Sequence, residues 1–282
     1  MTEAGEWLSI KRGDEPLIVS LPHTGTFVPE YLTGKFASPW LTTKDTDWYI
    51  DRVYGFAAKL GATVIHTSVS RSVIDVNRDP SGVSLYPGQA TTDLCPTSTF
   101  DGKKLYRAGA DPDEAEIKHR REAWFDPYHR AISVEIDRLR SRHPHVVLYD
   151  CHSIRSKIPR LFEGQLSVFN IGTNGGTSAH PILMQRISDL CTHTGESHVA
   201  NGRFRGGYIT RNYGDPAKGV HSVQMELACR AYLSEPDGAV TEANWPPVYD
   251  PHFFPALSKA LHTILIFCVS FTKTRSMIEA LK

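Results

Sequence analysis

Two histidines stand where two apolar segments of the sequence end. His23 follows the apolar run at 16–22, and His152 follows the run at 145–151. Imidazole is a good ligand for zinc and related divalent ions, although a lone histidine in such a position is more often a hydrogen-bonded structural residue. Two of them, with acids nearby, indicate a metal site at a sheet edge. A carboxylate would be the third ligand and water would take the fourth position.

Four acids could contribute to this chemistry: Asp45, Asp47, Asp150 and Glu226. Asp45 as N-cap and Asp47 in the first turn could equally stabilise the start of a helix, where an anion is favoured. Glu226 lies within the alternating segment VHSVQMEL, on the opposite face from its apolar neighbours. A strand with one face in water would explain that position. If the face instead borders a cleft, Glu226 can act as general base for a metal-activated water.

Two loop segments rich in Gly, Asn or Tyr each contain a pair of arginines: Arg71 with Arg78, and Arg205 with Arg211. A guanidinium binds a carboxylate through two parallel hydrogen bonds, which suits a pocket for a small acidic substrate. Most loop arginines are simply solvated, and we expect at least one of these four to be so.

The strands and helices of the fold must bring these side chains together. The pattern of apolar residues predicts that strands and helices alternate along the chain. Strands are predicted at 16–22, 62–69, 72–77, 145–151, 166–171 and 220–227. Helices are predicted at 45–60, from Asp111 onward with an interruption at Pro127, after 178, and over most of the tail from 253. The long stretch at 79–111 is predicted to be a loop near the active site. This alternation indicates an α/β fold with a mainly parallel or mixed sheet, in which ligands bind beyond the carboxyl ends of the strands.

The amino-acid composition argues against several classes of protein. The 282 residues are 40% hydrophobic and 22% charged, as in a soluble folded enzyme rather than a disordered chain. The 31 basic and 31 acidic residues give no net charge, which disfavours a nucleic-acid-binding protein. The longest apolar run, at 261–271, is shorter than the ~20 residues that span a membrane and predicts a buried helix. Five scattered cysteines without a CxxC motif, and a start without a secretory signal, predict a cytoplasmic protein.

Several segments carry a resemblance that covers about residues 15–235. They are SLPHTG, DTDWYIDRVYGFAAKLGA, SRSVIDVNRDPSG, YHRAI, DCHSI, NGRFRGGYITRNYG and VQMELACRAYL. In this order they closely resemble the N-formylglutamate amidohydrolases, or N-formylglutamate deformylases, and SRSVIDVNRDP is the most specific of them. The family is more remotely similar to zinc carboxypeptidases and aspartoacylase. In those proteins a DxHS segment supplies a metal histidine and a later Glu-Leu supplies the catalytic glutamate, matching 150–153 and 226–227 here.

The resemblance implies a fold and a metal-ligand set. The fold is a three-layer α/β/α arrangement with a mixed, mainly parallel sheet of the zinc-exopeptidase type, in a single domain over 1–282. The remote relatives use a His-x-x-Glu pair, but the residue three positions after His23 is Thr26. The carboxylate ligand is therefore expected elsewhere, at Asp47, with Glu30 and Asp45 as the alternatives.

The resemblance also implies the reaction, namely metal-dependent hydrolysis of N-formyl-L-glutamate to formate and L-glutamate in histidine degradation. The reaction is expected to use one divalent ion. Zinc is the first expectation, and Co, Mn, Ni or Fe would also suit such ligands. The partner is a small acidic N-acyl amino acid, with no nucleic acid or membrane, and the oligomeric state stays open. Two alternatives remain: a zinc amidohydrolase for another N-acyl amino acid or peptide end, and a non-catalytic binder of a dicarboxylic amino acid. The roles expected are metal binding by His23, Asp47 and His152, catalysis by Glu226, and substrate binding by Arg71, Asn77, Arg78, Arg205 and Arg211.

Overall fold

Seven strands form one mixed sheet in the computed structural model, which describes residues 7–84, 88–253 and 255–280, the side chains of 276–280 excepted. The strands are β1 (Leu8–Lys11), β2 (Leu17–Leu21), β3 (Thr63–Thr67), β4 (Val146–Ile154), β5 (Phe169–Gly172), β6 (His198–Ala200) and β7 (Val220–Ala228). The α-helices are α1 (Glu30–Thr33), α2 (Pro39–Thr43), α3 (Ile50–Val53), α4 (Glu114–Arg120), α5 (Asp126–Arg140), α6 (Pro181–Thr192), α7 (Tyr208–Tyr213) and α8 (Pro255–Ala280).

The strand order is β1-β3-β2-β4-β7-β5-β6. Strands β3, β2, β4 and β7 run parallel to one another. Strand β1 pairs antiparallel with β3, and β5 pairs antiparallel with β7 but parallel with β6. The parallel strands therefore present their carboxyl ends at one edge of the sheet. In the register of β4 with β7, Asp150 lies beside Gln224 and His152 beside Glu226.

Helices cover both faces of this sheet. On one face, strand residues such as Tyr149 and Met225 pack with α3, α6 and α8 in one buried cluster. On the other face, residues such as Ile18 and Leu148 pack against α5 in a second cluster. Strands β2, β4 and β7 are buried along their whole length because apolar layers cover both sides. The predicted three-layer α/β/α class with a mixed, mainly parallel sheet is confirmed.

The predicted strand at 72–77 is wrong, because this segment forms a series of buried turns. Its polar side chains bond the local backbone: Asp75 Oδ1 accepts from the Asn77 amide at 2.9 Å, and Ser70 Oγ accepts from the Ser72 amide at 3.1 Å. Such bonds offer the backbone an alternative to a strand ladder. In this conformation the side chains of Asp75 and Asn77 reach the pocket region described below.

The predicted helix at 45–60 is also wrong as a continuous element. Only α3 and a short 3-10 turn, Ala57–Leu60, are helical, and Tyr49 adopts a left-handed conformation with φ of 61° before α3. Asp45 does not cap a helix. Its carboxylate accepts hydrogen bonds from the Phe100 amide at 2.6 Å and from Arg155 at 3.2 Å.

The predicted break at Pro127 is a change of helical pitch. Helix α4 begins at Glu114, three residues after the predicted start at Asp111, with Asp113 as its cap. A π-helical turn at Arg121–Phe125 joins α4 to α5. Pro127 follows this π-helical turn directly, as the second residue of α5, so the chain stays helical through the proline.

Helix α8 contains a 21-residue stretch, Pro255–Arg275, that is long and apolar enough to cross a membrane by length and composition. Leu261, Leu265 and Cys268 on this stretch are fully buried in the core beneath the sheet. The prediction of a helical tail is confirmed, but the helix is buried along one face only, since Ile266 within the apolar run is 47% exposed.

Candidate active site

Three side chains place one ligand atom each around a single point. His23 follows β2, Asp47 lies in the loop before α3, and His152 lies within β4. His152 Nδ1 is 3.1 Å from His23 Nδ1 and 3.1 Å from Asp47 Oδ2, and His23 Nδ1 is 3.7 Å from Asp47 Oδ2. Ligand bonds of about 2.0–2.1 Å in a tetrahedral site would separate the atoms by about 3.3–3.4 Å. The donor set therefore fits a divalent ion, and it is the one such group among the described residues.

Each histidine is oriented by a carboxylate on its far nitrogen. His23 Nε2 lies 2.6 Å from Asp75 Oδ1, and His152 Nε2 lies 2.8 Å from Asp150 Oδ2. Carboxylates in this position fix the ring and its tautomer, so that the other nitrogen is available as a ligand. Asp75 was not among the predicted site residues, although it lies in the segment that carries the most specific family resemblance.

The Asp47 carboxylate is buried and fixed from several sides. Its Oδ2 accepts from the Ser153 amide at 3.1 Å, and its Oδ1 accepts from Arg71 Nη1 at 3.2 Å. Burial alone would raise the pKa of Asp47, but without a metal the hydrogen bonds donated by His152 and His23, together with the charge of Arg71, hold that pKa below its ordinary range. The carboxylate is therefore ionised, as a metal ligand must be.

The two alternative carboxylates lie outside this cluster. Glu30 is exposed at the start of α1, and Asp45 points to Arg155 and the Phe100 amide. Of the three carboxylates considered from the sequence, the structure brings only Asp47 to the histidines.

Glu226 is buried beside His152 and borders the same pocket. Its apolar neighbours Val223, Met225 and Leu227 face the opposite core, as the alternation of the segment predicts. Gln224, two residues earlier on the same face, accepts from the Gly207 amide at 2.7 Å and donates to Glu226 Oε2 at 3.2 Å. Burial raises the pKa of Glu226 to about 8, even though the charge of His152 acts to lower it.

The pocket in front of these residues is an open cleft with about 550 Å³ of empty space, part of which is continuous with solvent. Its polar and charged lining residues include His23, His152, Gln224, Glu226, Asn77, Arg71, Arg78 and Arg203.

The four predicted arginines take different positions. Arg71 and Arg78 line the pocket. Arg205 is exposed and Arg211 donates to the Gly206 carbonyl at 2.9 Å, and neither belongs to the pocket lining. Arg203, two residues before Arg205, lines the pocket instead and was not selected from the sequence. No periodic pattern in this glycine-rich loop distinguishes the two.

Asn77 is predicted to hold a substrate amide, and the structure shows how its own amide is used. Oδ1 accepts from the Ile209 amide at 2.8 Å, and Nδ2 donates to Asp150 Oδ2 at 3.1 Å. Nδ2 also lies 2.9 Å from His152 Nε2. Asn77 thus lines the pocket while tying α7 to the carboxylate that orients His152.

Comparisons with family models and known sequences lead to the same family, and comparison with solved structures gives the same fold. A family model described as N-formylglutamate amidohydrolase matches residues 15–233. An N-formylglutamate deformylase of Pseudomonas putida is 45% identical over 229 residues, covering 81% of this chain and 85% of that protein. The Pseudomonas aeruginosa deformylase is 45% identical over 232 residues, covering 82% and 86%. The crystal structure of N-formylglutamate amidohydrolase from Ralstonia eutropha JMP134 shares the fold, with a TM-score of 0.77, 19% identity, and coverage of 95% of this chain and 99% of that one. This chain belongs to the N-formylglutamate amidohydrolase family.

Proposed function

We propose that the protein hydrolyses N-formyl-L-glutamate to formate and L-glutamate. The observation that carries the proposal is the convergence of three ligand atoms and a buried glutamate on one arginine-lined pocket. The 45% identity to proteins named N-formylglutamate deformylase supports the same substrate. A place in histidine degradation and in the cytoplasm stays a prediction from the sequence.

His23, Asp47 and His152 would hold one divalent ion through two imidazole nitrogens and one carboxylate oxygen. When bound, such an ion polarises a carbonyl and makes water acidic enough to act near neutral pH. Two nitrogens and one oxygen with an open fourth position suit zinc, and the same ligands accept Co, Mn, Ni or Fe.

Glu226 would carry the proton in the reaction. As water oxygen bonds to the formyl carbon, Glu226 accepts a proton from that water, and it then returns the proton to the nitrogen as the C–N bond breaks. The hydrogen bond from Gln224 holds the carboxylate in place for both transfers. The products are formic acid and the free amine of glutamate; formic acid loses the second proton of the water to become formate and the amine takes up one proton, so atoms and protons balance.

Arg71 and Arg78 would supply positive charge on the metal side of the pocket. Arg71 is bonded to Asp47 and Asp75 while it lines the pocket, which places its charge near the formyl oxygen as negative charge develops there. Arg78 lines the pocket within 3.7 Å of Asp75 and is our candidate for one substrate carboxylate.

An assay of formate release distinguishes between the three functions that the sequence leaves open. The purified protein should release formate from N-formyl-L-glutamate much faster than from N-formyl-L-methionine, and chelation should abolish the activity until zinc is restored. A zinc amidohydrolase with another substrate would prefer N-formylmethionine or N-acetylglutamate. A non-catalytic binder would bind glutamate without releasing formate from any of them.

Metal analysis tests the site independently of activity. His152→Ala removes one of three ligands, and we expect bound metal to fall well below one ion per chain. His193→Ala, at an exposed histidine after α6, is the matched control and should keep the metal content of the wild type. A full complement of metal in His152→Ala would show that the ion binds elsewhere.

A further inference from the structure

N-formylglutamate carries two carboxylates besides its formamide, and each needs a cationic partner when it is buried. Three arginines line the pocket. Arg71 is bonded to Asp47 at 3.2 Å and to Asp75 at 2.7 Å, so its charge lies within the cluster of candidate metal ligands. We consider the other two, Arg78 and Arg203, for the carboxylates because of the pocket walls on which they lie.

Arg78 belongs to the metal side of the pocket. Its guanidinium is 3.7 Å from Asp75 Oδ2, and Asp75 in turn bonds the ligand His23. Its Nε and Nη2 donate to the carbonyl and hydroxyl of Thr92 at 2.9 and 3.0 Å.

Arg203 lies on a different wall, in the loop after β6. Its Nε donates to the Leu161 carbonyl and its Nη2 to the Ala90 carbonyl, both at 2.9 Å. Its guanidinium also lies 5.3 Å from the Phe204 ring centroid. These contacts fix the plane of a group with five N–H donors, and none of these three partners is part of the metal cluster.

We propose that Arg203 binds the side-chain carboxylate of the substrate and that Arg78 binds the α-carboxylate. The α-carboxylate is attached to the same carbon as the formamide nitrogen, so it must lie near the metal cluster and Arg78. The side-chain carboxylate is two methylene groups farther away and reaches a wall outside the cluster. This assignment rests on the proposed function and makes Arg203 the residue that distinguishes glutamate from uncharged amino acids.

The test compares N-formyl-L-glutamate with N-formyl-L-glutamine, whose side chain has the same length without the charge. In Arg203→Met, kcat/KM for N-formylglutamate should fall about 10- to 150-fold, the equivalent of one charge-assisted hydrogen bond, with little change for N-formylglutamine. Arg78→Met should lower both, because both substrates have the α-carboxylate. Arg186→Met, at an exposed arginine on α6, controls for loss of surface charge and should change neither.

A binding measurement gives the answer without turnover. Calorimetry should show that Arg203→Met lowers the affinity for L-glutamate and leaves the affinity for L-glutamine unchanged. A thermal midpoint equal to that of the wild type would show that the variant is folded. Equal losses on both ligands, no loss on either, or a selective loss in Arg205→Met instead would overturn the assignment. A wild type that binds glutamate over glutamine but releases no formate would refute the proposed function, while Arg203 would still be tested by binding.

Discussion

At the scale of single residues, Glu226 combines two opposing influences. Burial raises its pKa to about 8, and the Gln224 amide, 3.2 Å from Oε2, stabilises the ionised form. Catalytic bases work best when their pKa lies near the operating pH. A buried carboxylate at this position can accept a proton and release it again, which amide hydrolysis requires.

Glu226→Gln preserves the size of the side chain and removes its capacity to take a proton. We expect turnover of N-formylglutamate to fall ~100-fold or more, the usual scale for an acid–base group. Metal content and thermal midpoint should stay near those of the wild type. Glu163→Gln, at an exposed glutamate, is the matched control, and near-normal turnover in Glu226→Gln would assign the base to another residue.

The ligand types could be predicted from the sequence, but their partners could not. Imidazoles after apolar segments and a glutamate in an alternating strand are local signals. The structure brings His23 and His152 to the pocket that Glu226 borders, with Asp47 beside the two histidines. Asp75 orients His23 across 52 positions of sequence, and such a contact has no local pattern. Gln224 could have been found, because a period of two places it on the same face as Glu226.

At the scale of elements, the parallel pairing of β4 with β7 builds half of the site. Asp150 and His152 alternate toward the pocket from one strand, and Gln224 and Glu226 do so from the other, in register. The remaining residues come from segments without regular structure. These were predicted least well: the strand expected at 72–77 is a series of turns that directs Asp75, and the helix expected at 45–60 is replaced around Asp47 by a loop before α3. Apolar periodicity indicates which residues are buried, but side-chain bonds to the backbone decide the conformation there.

Gly207 joins the arginine-bearing loop to these elements. Its amide donates to Gln224 Oε1 at 2.7 Å, and a Cβ at this position would lie 2.5 Å from three atoms of the Asn77 side chain. Contacts that short force a neighbour to move. Here the neighbour is the residue that bonds Asp150 and approaches His152.

Gly207→Ala should therefore impair both stability and activity. We expect the free energy of unfolding to fall by about 1–3 kcal/mol, as for other overpacked sites, and turnover to fall because Asn77 is displaced. Gly34→Ala is the control, since a Cβ there meets nothing within 4 Å and its φ of −71° suits alanine. Urea unfolding and formate release measure the two effects, and wild-type values for Gly207→Ala would mean that the loop adjusts without moving Asn77.

At the scale of the whole molecule, His129 connects the helical layer to the site segment. It lies on α5, buried, with Nε2 2.8 Å from the Val76 carbonyl and Nδ1 2.9 Å from the Tyr213 hydroxyl. Burial lowers its pKa to about 4, although the Val76 carbonyl and the charges of Asp150 and Asp126 act to raise it. The neutral ring therefore helps to hold the turns at 72–77 against α5.

This burial predicts a specific loss of stability in acid. An unfolded histidine takes its proton near pH 6.5, whereas folded His129 takes it near pH 4, so the unfolded chain binds more protons between those values. The free energy of unfolding should then fall as the pH drops from 7 to 4.5, by about 2–3 kcal/mol from this residue at about 1.4 kcal/mol per pH unit. Other groups also exchange protons as the pH falls, and comparing metal-free wild type with metal-free His129→Gln cancels the contribution that the two proteins share. The advantage of the wild type over His129→Gln should shrink by that amount, while exposed His193→Gln should show no such trend. A difference between wild type and His129→Gln that stays constant with pH would mean that folded His129 takes its proton at the same pH as an unfolded histidine, so that burial does not lower its pKa.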